Sequence, residues 1–202
     1  MSVESWHTDE HPELRDAPPW VTEEMTAAQP ELPRAILGAP SAAVDELAGA
    51  VRGAAAGQPV TVVGCGTSEH GAMAVAALLA DALGGGWPPA AAWRQSLDAA
   101  EHPQRGGVCI GVSHDGGTRA TALALEAARD AGATTALVTN RPGGSASKPS
   151  AIVLETPMHD DSWCHTVAYT SVILAGAAVA RELGLEGVDA GAAEALLRAA
   201  PE

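Results

Sequence analysis

Three short segments of the sequence concentrate side chains that could do chemistry on a small polar ligand. They read GCGTSEH (64–70), SHDGGT (113–118) and HDDSWCH (159–165). The first two combine glycines with serine or threonine hydroxyls just before a helical pattern, an arrangement that gathers backbone N–H groups around an anion. The third is the densest group of titratable residues in the chain. We therefore expect these segments to form or flank a ligand site.

Neither glycine-containing segment fits a nucleotide-binding motif. GCGTSEH has His70 where G-x-G-x-x-G needs its third glycine, and it lacks the Gly-Lys-Ser/Thr ending of a Walker A loop. A plainer interpretation also applies to both segments, in which Thr67, Ser68, Asp115 or Thr118 only caps a helix. Two such segments at neighbouring strand ends, however, would bring both sets of hydroxyls toward one ligand.

The third segment permits several interpretations. A solvated loop before a helix is the simplest. His159, Asp161, Cys164 and His165 are all metal-ligand types. Their spacing, H-x-D-x-x-C-H, matches no metal motif, and we expect neither a metal nor another cofactor. Thiol chemistry by Cys164 beside His165 is the most remote alternative.

The elements that would position these segments alternate between strands and helices. Such alternation predicts parallel crossovers and an open α/β sheet, whose ligands bind beyond the carboxyl ends of the strands. We divide the chain into a flexible arm (1–19), N-terminal helices (20–57), an α/β domain (58–184) and a C-terminal helix or tail (185–202). The predicted strands lie within 58–66, 90–93, 106–113, 134–140 and 151–157, and the predicted helices within 20–37 (broken near Pro30), 41–55, 68–83, 117–132, 162–184 and 191–201.

Composition excludes several classes of protein. The net charge of −14 and the single lysine, Lys148, argue against nucleic acid as a partner. No apolar run approaches the roughly 20 residues that span a bilayer, and the N-terminus does not resemble a signal peptide. The three cysteines, Cys65, Cys109 and Cys164, lie in or beside apolar segments, which favours a reduced cytoplasmic protein without membrane partners.

Several motifs together resemble the sugar isomerase (SIS) domain. The parallels are most similar to the first SIS half of glucosamine-6-phosphate synthase and to related ketose/aldose isomerases and deaminases. The lead-in MTAAQPELPRAIL also resembles the E-I-x-x-Q-P-x-x-L-x-x-x-L of these proteins. The resemblance spans roughly residues 24–184, and its motifs are GCGTS (64–68), SHDGGT (113–118), NRPGGS (140–145) and TVAYT (166–170).

The resemblance implies a three-layer, five-stranded parallel sheet of flavodoxin-like order with extra N-terminal helices. It also implies a sugar or sugar-phosphate ligand and a homodimer, or a partner SIS subunit. The phosphate-binding positions of the family correspond to Thr67 and Ser68 in the first glycine segment and to Ser113 and Thr118 in the second. Residues implied to contact the substrate are Gly64, Cys65, Gly66, Thr67, Ser68, Ser113, His114, Asp115 and Thr118.

Asp115 departs from the family pattern S-x-S-G-E-T, in which a serine at this position donates to phosphate. A carboxylate about 4 Å from a phosphate costs on the order of 4 kcal/mol at an effective dielectric of ~20, enough to cancel several hydrogen bonds of about 1–3 kcal/mol each. Three explanations stay open. Asp115 turns away and caps the helix, or it accepts hydrogen bonds from sugar hydroxyls or an amine, or the pocket is degenerate.

The acid and base residues of the two-SIS isomerases lie in their second half or C-terminal tail, which has no counterpart here, so they do not transfer. His70 and His165 are instead the candidate bases for proton transfer. The sequence thus favours a protein that binds a carbohydrate derivative, such as an aldose–ketose isomerase or an amino-sugar deaminase. The alternative is a non-catalytic sugar sensor, or one half of a split two-SIS enzyme.

Overall fold

The order of strands and helices agrees with the predicted alternation. The computed structural model describes residue 15, residues 17–54 and residues 57–199. Within these residues the helices are α1 (Val21–Ala28), α2 (Leu32–Leu37), α3 (Ala42–Ala54), α4 (Thr67–Ala82), α5 (Ser96–Glu101), α6 (Arg119–Asp130), α7 (Thr166–Glu182) and α8 (Ala190–Arg198). The strands are β1 (Val60–Gly64), β2 (Ala91–Gln95), β3 (Val108–Val112), β4 (Thr134–Thr139) and β5 (Ile152–Glu155).

The five strands form one parallel sheet in the order β2-β1-β3-β4-β5. Every residue of β1 and of β3 is buried, as expected when helices cover both faces of a parallel sheet. The predicted fold class, an α/β sheet of flavodoxin-like order with extra N-terminal helices, is therefore confirmed. The strand that follows β1 in the sequence is added on one side of it, and β3, β4 and β5 are added on the other side. The carboxyl ends of β1 and β3 therefore mark the topological switch point, where ligands bind in such sheets.

Small residues let the helices on one face of the sheet approach closely. A Cβ added to Gly176 of α7 would lie 2.7 Å from Cγ2 of Val75 in α4, and a Cβ on Gly71 would lie 3.0 Å from Val172. These contacts explain how a chain rich in alanine and glycine, with no phenylalanine, builds its core. The face that carries α5 and α6 has a smaller core, which includes Leu125.

The N-terminal helices pack against α7. The predicted break near Pro30 is present as a 3-10 turn over Gln29–Glu31. Thr170 of α7 donates to Oε1 of Gln29 at 2.5 Å, and Arg181 donates to the carbonyl of Leu37 at 2.9 Å. The first bond places Gln29 near the start of α7, at the carboxyl edge of the sheet where the predicted ligand segments lie.

Two predictions about elements were wrong. Helix α7 begins at Thr166 rather than at residue 162, because the preceding segment forms an irregular loop. Helix α5 was not predicted, and it is only six residues long and begins where Gln95 accepts hydrogen bonds from the backbone N–H groups of Leu97 and Asp98. Most of the predicted arm, 1–14 and residue 16, lies outside the described residues. Among the described helices, none is long and apolar enough to cross a membrane.

Candidate functional site

The first glycine segment turns sharply from β1 into α4. A Cβ on Gly64 would lie 2.2 Å from the carbonyl oxygen of Ser68, so only glycine permits this close approach. Gly66 has a φ of 61° and is the N-cap of α4, which has no side-chain cap. Thr67 and Ser68 therefore belong to the first helical turn and do not cap it. The positive end of the α4 dipole lies at this turn.

The two hydroxyl groups of the second glycine segment are hydrogen-bonded to each other. Ser113 is fully buried and donates to Oγ1 of Thr118 at 3.0 Å. Thr118 is the N-cap of α6, but its side chain makes no capping hydrogen bond. The predicted role of this pair in phosphate binding stays a prediction.

The turn that carries Asp115 packs against the segment that follows β4. Gly116 has a φ of 63°, and a Cβ there would lie 2.6 Å from the carbonyl oxygen of Arg141. The carbonyl of Gly116 accepts from the backbone N–H of Ala146 at 2.9 Å. The Asp115 carboxylate itself is exposed and has no hydrogen-bond partner among the described residues. It does not cap α6.

A cavity of about 690 Å³ opens where the second and third segments meet the N-terminal helices. It is lined by Arg15, Val21, Glu24, Met25, Asp115, Arg141, His159, Asp160, Asp161, Ser162, Trp163 and His165. A second, much smaller cavity of about 20 Å³ brings Thr67 and Ser68 of the first segment to His114 and His165. His165 lines both cavities, so it lies between the first segment and the larger space.

Three histidine rings lie together at this edge of the sheet. The ring of His114 stacks on that of His159, with centroids 4.8 Å apart and planes 9° from parallel. The ring of His165 meets His114 edge-on, with centroids 5.8 Å apart. The three residues come from two segments far apart in the sequence, so only the fold places them side by side.

His114 is held neutral. Its Nε2 accepts a hydrogen bond from the backbone N–H of Asp160 at 3.0 Å, so the ring proton must lie on Nδ1. Burial lowers the pKa of His114 from its ordinary value, although the charges of Asp115 and Asp160 oppose this shift.

Both ring nitrogens of His159 are also bonded. Its Nε2 lies 2.9 Å from Nη2 of Arg141, and since a guanidinium can only donate, Nε2 accepts. Its Nδ1 consequently donates to Oδ1 of Asn140 at 3.0 Å. The amide nitrogen of Asn140 donates in turn to the carbonyl of Thr156 at 2.7 Å. This chain of bonds fixes the ring and gives it the neutral tautomer.

Asp160 organises the third segment. Its buried carboxylate accepts from the backbone N–H and the hydroxyl of Ser162, at 2.9 and 2.6 Å, and from the backbone N–H of Ala168 at 2.9 Å. The last of these bonds satisfies the first turn of α7. His165, immediately before that helix, has a φ of 52°, a conformation rare outside glycine. Its Nδ1 is buried without a hydrogen-bond partner in the described part of the chain.

The described residues contain one group that resembles a metal site, made of His114, Asp115 and His159. Its potential ligand atoms lie within 4.8 Å of one another. However, Nε2 of His114 and Nε2 of His159 already accept hydrogen bonds, and the other nitrogen of each ring carries a proton. Parallel rings also cannot direct their in-plane lone pairs at one ion. The hydrogen bonds of this arrangement therefore do not fit a metal ligand set.

The remaining predicted residues lie around the first segment. His70 is exposed, and its Nδ1 lies 3.2 Å from the carbonyl of Gly66 one helical turn earlier, outside the linings of both cavities. Cys65 is half-buried, and its sulfur lies 4.0 Å from Nε2 of Gln95. Burial raises the pKa of the Cys109 thiol to about 12, so this cysteine is a core residue.

Several residues that build the site were not singled out from the sequence. Asn140 and Arg141 orient His159, Ser162 donates to the carboxylate of Asp160, and Glu24 and Met25 of α1 line the large cavity. Asn140 and Arg141 belong to the NRPGGS motif. Because this motif follows a predicted strand, its position could have indicated that both residues lie near the ligand site. No sequence signal assigned α1 to the cavity.

The candidate site lies at the topological switch point of a doubly wound sheet. Residues 58–181, more than half of the chain, match the family model described as "SIS domain". The chain belongs to the SIS domain family, as the resemblance predicted. No curated protein matches the chain.

Solved structures share the fold at low sequence identity. A glucosamine-6-phosphate deaminase from Thermotoga maritima is 17% identical with a TM-score of 0.67, over 88% of this chain and 52% of that one. The tagatose-6-phosphate ketose/aldose isomerase of Escherichia coli is 17% identical with a TM-score of 0.66, over 89% and 52%. This chain spans about half the length of both.

A further solved structure has nearly the same length as the matched region. It is a protein from E. coli CFT073 in complex with a sugar phosphate, 17% identical with a TM-score of 0.66. The match covers 81% of this chain and 87% of that one. The SIS fold therefore occurs both in chains of similar length to this one and in chains about twice as long.

Proposed function

We propose that this chain binds a carbohydrate derivative, either a sugar phosphate or an amino sugar, at the carboxyl edge of its sheet. The cavity of about 690 Å³ carries this proposal. Its volume falls in the range of about 300–1,000 Å³ that is usual for small-molecule sites. Solved relatives named as a phosphosugar deaminase and a ketose/aldose isomerase support the choice of ligand class.

The phosphate of such a ligand would bind at the first glycine segment. There the start of α4 has no side-chain cap, and the backbone of Gly64, Cys65 and Gly66 leads into the hydroxyls of Thr67 and Ser68. Helix N-termini of this kind attract anions. Ser113 and Thr118 would complete the phosphate contacts by giving up their mutual hydrogen bond.

The reaction we propose is aldose–ketose isomerisation or amino-sugar deamination, both of which need a proton moved between adjacent carbons. His165 is our candidate base, because it lines both cavities and its Nδ1 has no partner among the described residues. His70 is the weaker candidate, since it is exposed and contacts the carbonyl of Gly66 instead. General bases contribute about 10²–10⁴-fold to such steps.

A second candidate function is non-catalytic: a sugar sensor, or one half of a site completed by a second SIS unit. One observation favours it. Both nitrogens of His159 and Nε2 of His114 are already hydrogen-bonded, which leaves His165 without a second free acid or base among the three rings. A homodimer partner or a separate SIS subunit would then supply the missing group.

Thermal unfolding tests ligand binding. The melting temperature would be measured with glucosamine 6-phosphate, fructose 6-phosphate, their unphosphorylated forms and inorganic phosphate. We expect at least one of the sugars to raise Tm in a concentration-dependent way, because a ligand that binds only the folded state stabilises it by mass action. Absence of any shift with all four sugars at millimolar concentration would refute the proposed function.

Solvent exchange at C2 of a bound sugar separates an enzyme from a sensor. The sugar would be incubated with the protein in D₂O and followed by NMR. An enzyme exchanges the C2 proton, and His165→Gln should slow this exchange by about 100-fold or more while His70→Gln leaves it nearly unchanged. Binding without exchange would identify the sensor or half-site function.

A further inference from the structure

We infer that Asp115 recognises a protonated amine on the ligand, so that the site prefers an amino sugar over the corresponding hydroxy sugar. This inference rests on the proposed function and names its substrate class. Asp115 lines the cavity of about 690 Å³, and its carboxylate is exposed there.

Asp115 and Asp161 are the two carboxylates of this cavity that accept no hydrogen bond from the described residues. Glu24 forms a two-point ion pair with Arg15, with both N–O distances 2.7 Å. Asp160 accepts three hydrogen bonds. Asp161 is exposed and lies 3.6 Å from Nε2 of His159, a nitrogen that cannot donate to it in the neutral tautomer. Asp115 likewise accepts no hydrogen bond from any described residue.

The lining of the cavity is net negative, since it holds the four carboxylates of Glu24, Asp115, Asp160 and Asp161 and the two guanidiniums of Arg15 and Arg141. The neighbouring rings of His114 and His159 are held in neutral tautomers by the bonds to Asp160 and Arg141. The guanidinium of Arg141 is directed at His159, where it donates from Nη2. The charge of Asp115 is therefore complementary to a cationic group, and it would repel a phosphate placed beside it.

The backbone on both sides of Asp115 is fixed, which keeps this residue beside the cavity. On one side, the carbonyl of His114 accepts from the backbone N–H of Asn140 and from the hydroxyl of Thr139, both at 2.9 Å. On the other side, Gly116 packs against the carbonyl of Arg141 and adopts a φ of 63°. The backbone at Asp115 therefore loses little freedom when a ligand binds.

Glucosamine 6-phosphate and glucose 6-phosphate differ only in an amine or a hydroxyl at C2, and calorimetric titration of both at pH 7 tests the inference. We expect the amino sugar to bind about 10- to 100-fold tighter, the contribution of a hydrogen bond between charged groups. N-acetylglucosamine 6-phosphate, whose nitrogen carries no charge, should lose this advantage. Repeating the comparison with glucosamine and glucose removes the phosphate from the measurement.

Two matched variants assign the preference to Asp115. Asp115→Asn keeps the shape and removes the charge, and it should weaken the amino sugar about 10- to 100-fold while leaving the hydroxy sugar unchanged. Asp130→Asn removes an exposed carboxylate at the far end of α6 and should behave as the wild type. Circular dichroism would verify that both variants fold.

The outcomes that overturn the inference differ from those that overturn the proposed function. Equal affinity of the wild type for the amino and hydroxy sugars would overturn the inference alone. Retention of the preference in Asp115→Asn would do the same, because the amine would then be recognised elsewhere. Failure of every sugar to bind would overturn the proposed function and this inference with it.

Discussion

The backbone N–H of Asp160 donates to Nε2 of His114 at 3.0 Å, across 46 positions of the sequence. This bond joins the second and third ligand segments and determines which nitrogen of His114 carries its proton. The same aspartate orders the start of α7 through its side chain. One residue thus sets both the protonation state of one histidine and the position of another, His165.

The burial of His114 predicts a loss of stability in mild acid. Because the pKa of His114 is lowered in the folded protein, the unfolded chain binds more protons just below pH 6.5, and stability falls as the pH drops through that range. Asp115 and Asp160 raise the pKa of His114, whereas burial, His159 and His165 lower it. Urea unfolding at a series of pH values between 7.5 and 5 measures the effect.

His114→Gln provides the control for the pH experiment, since its amide oxygen replaces Nε2 as an acceptor and does not titrate. Between pH 7.5 and 5 this variant should lose less stability than the wild type. If the two proteins show the same dependence on pH, protonation of His114 does not limit stability in acid.

Asp160→Asn should destabilise the protein by about 1–3 kcal/mol, because an amide nitrogen would face backbone N–H groups that now donate to a carboxylate. Chemical unfolding would measure this change. Asp161→Asn is the matched comparison, because that neighbouring side chain is exposed, and it should change stability by less than about 0.5 kcal/mol. Equal effects of the two substitutions would show that the buried carboxylate does not organise this loop.

Gly116→Ala should destabilise the protein by about 2–5 kcal/mol. A left-handed backbone costs a non-glycine residue roughly 1–2 kcal/mol, and the new Cβ would collide with the carbonyl of Arg141. Gly132→Ala isolates the first of these effects, because Gly132 has a φ of 88° with no atom within 4 Å of its added Cβ. It should cost only about 1–2 kcal/mol in the same unfolding experiment. Similar losses for both variants would contradict the close packing of the Asp115 turn.

The fold was predictable because its signals are local. Apolar runs marked the buried strands β1 and β3, and Pro30 marked the break between α1 and α2. The positions of the glycine segments at strand ends were also predicted, since each follows an apolar run directly.

The arrangement of the site was not predictable from the same signals. The stacking of His114 on His159 depends on how loops after β3 and β5 lie across β4, a relationship over 45 positions of sequence that no local pattern records. The start of α7 was predicted four residues too early for a related reason. The carboxylate of Asp160 accepts three hydrogen bonds and holds residues 160–165 in a loop, and no local sequence pattern records these bonds. His70 was a candidate by its position, but the helix directs its ring to the carbonyl of Gly66.

The sequence alone also could not decide whether Asp115 caps α6. Capping of α6 is ruled out by the geometry, because its N-cap is Thr118 and no bond from Asp115 reaches the helix. The exposed carboxylate at the cavity agrees with the ligand contact inferred above.

Asp115→Ser restores the residue that the family pattern has at this position and should strengthen the binding of inorganic phosphate by about tenfold or more, because it removes a like charge from the loop. Titration calorimetry would compare the variant with the wild type, with Asp130→Asn as the control. Unchanged or weaker phosphate binding by Asp115→Ser would mean that no anion approaches this turn.

Hydrogen–deuterium exchange with and without glucosamine 6-phosphate tests most directly the claim that the three segments form one ligand site. The account predicts that the sugar slows exchange together in 64–70, 113–118 and 159–165, with little change at the second large cavity, which is lined by residues such as Leu32 and Met158. Protection confined to that other cavity, or saturating binding that leaves all three segments unprotected, would contradict it.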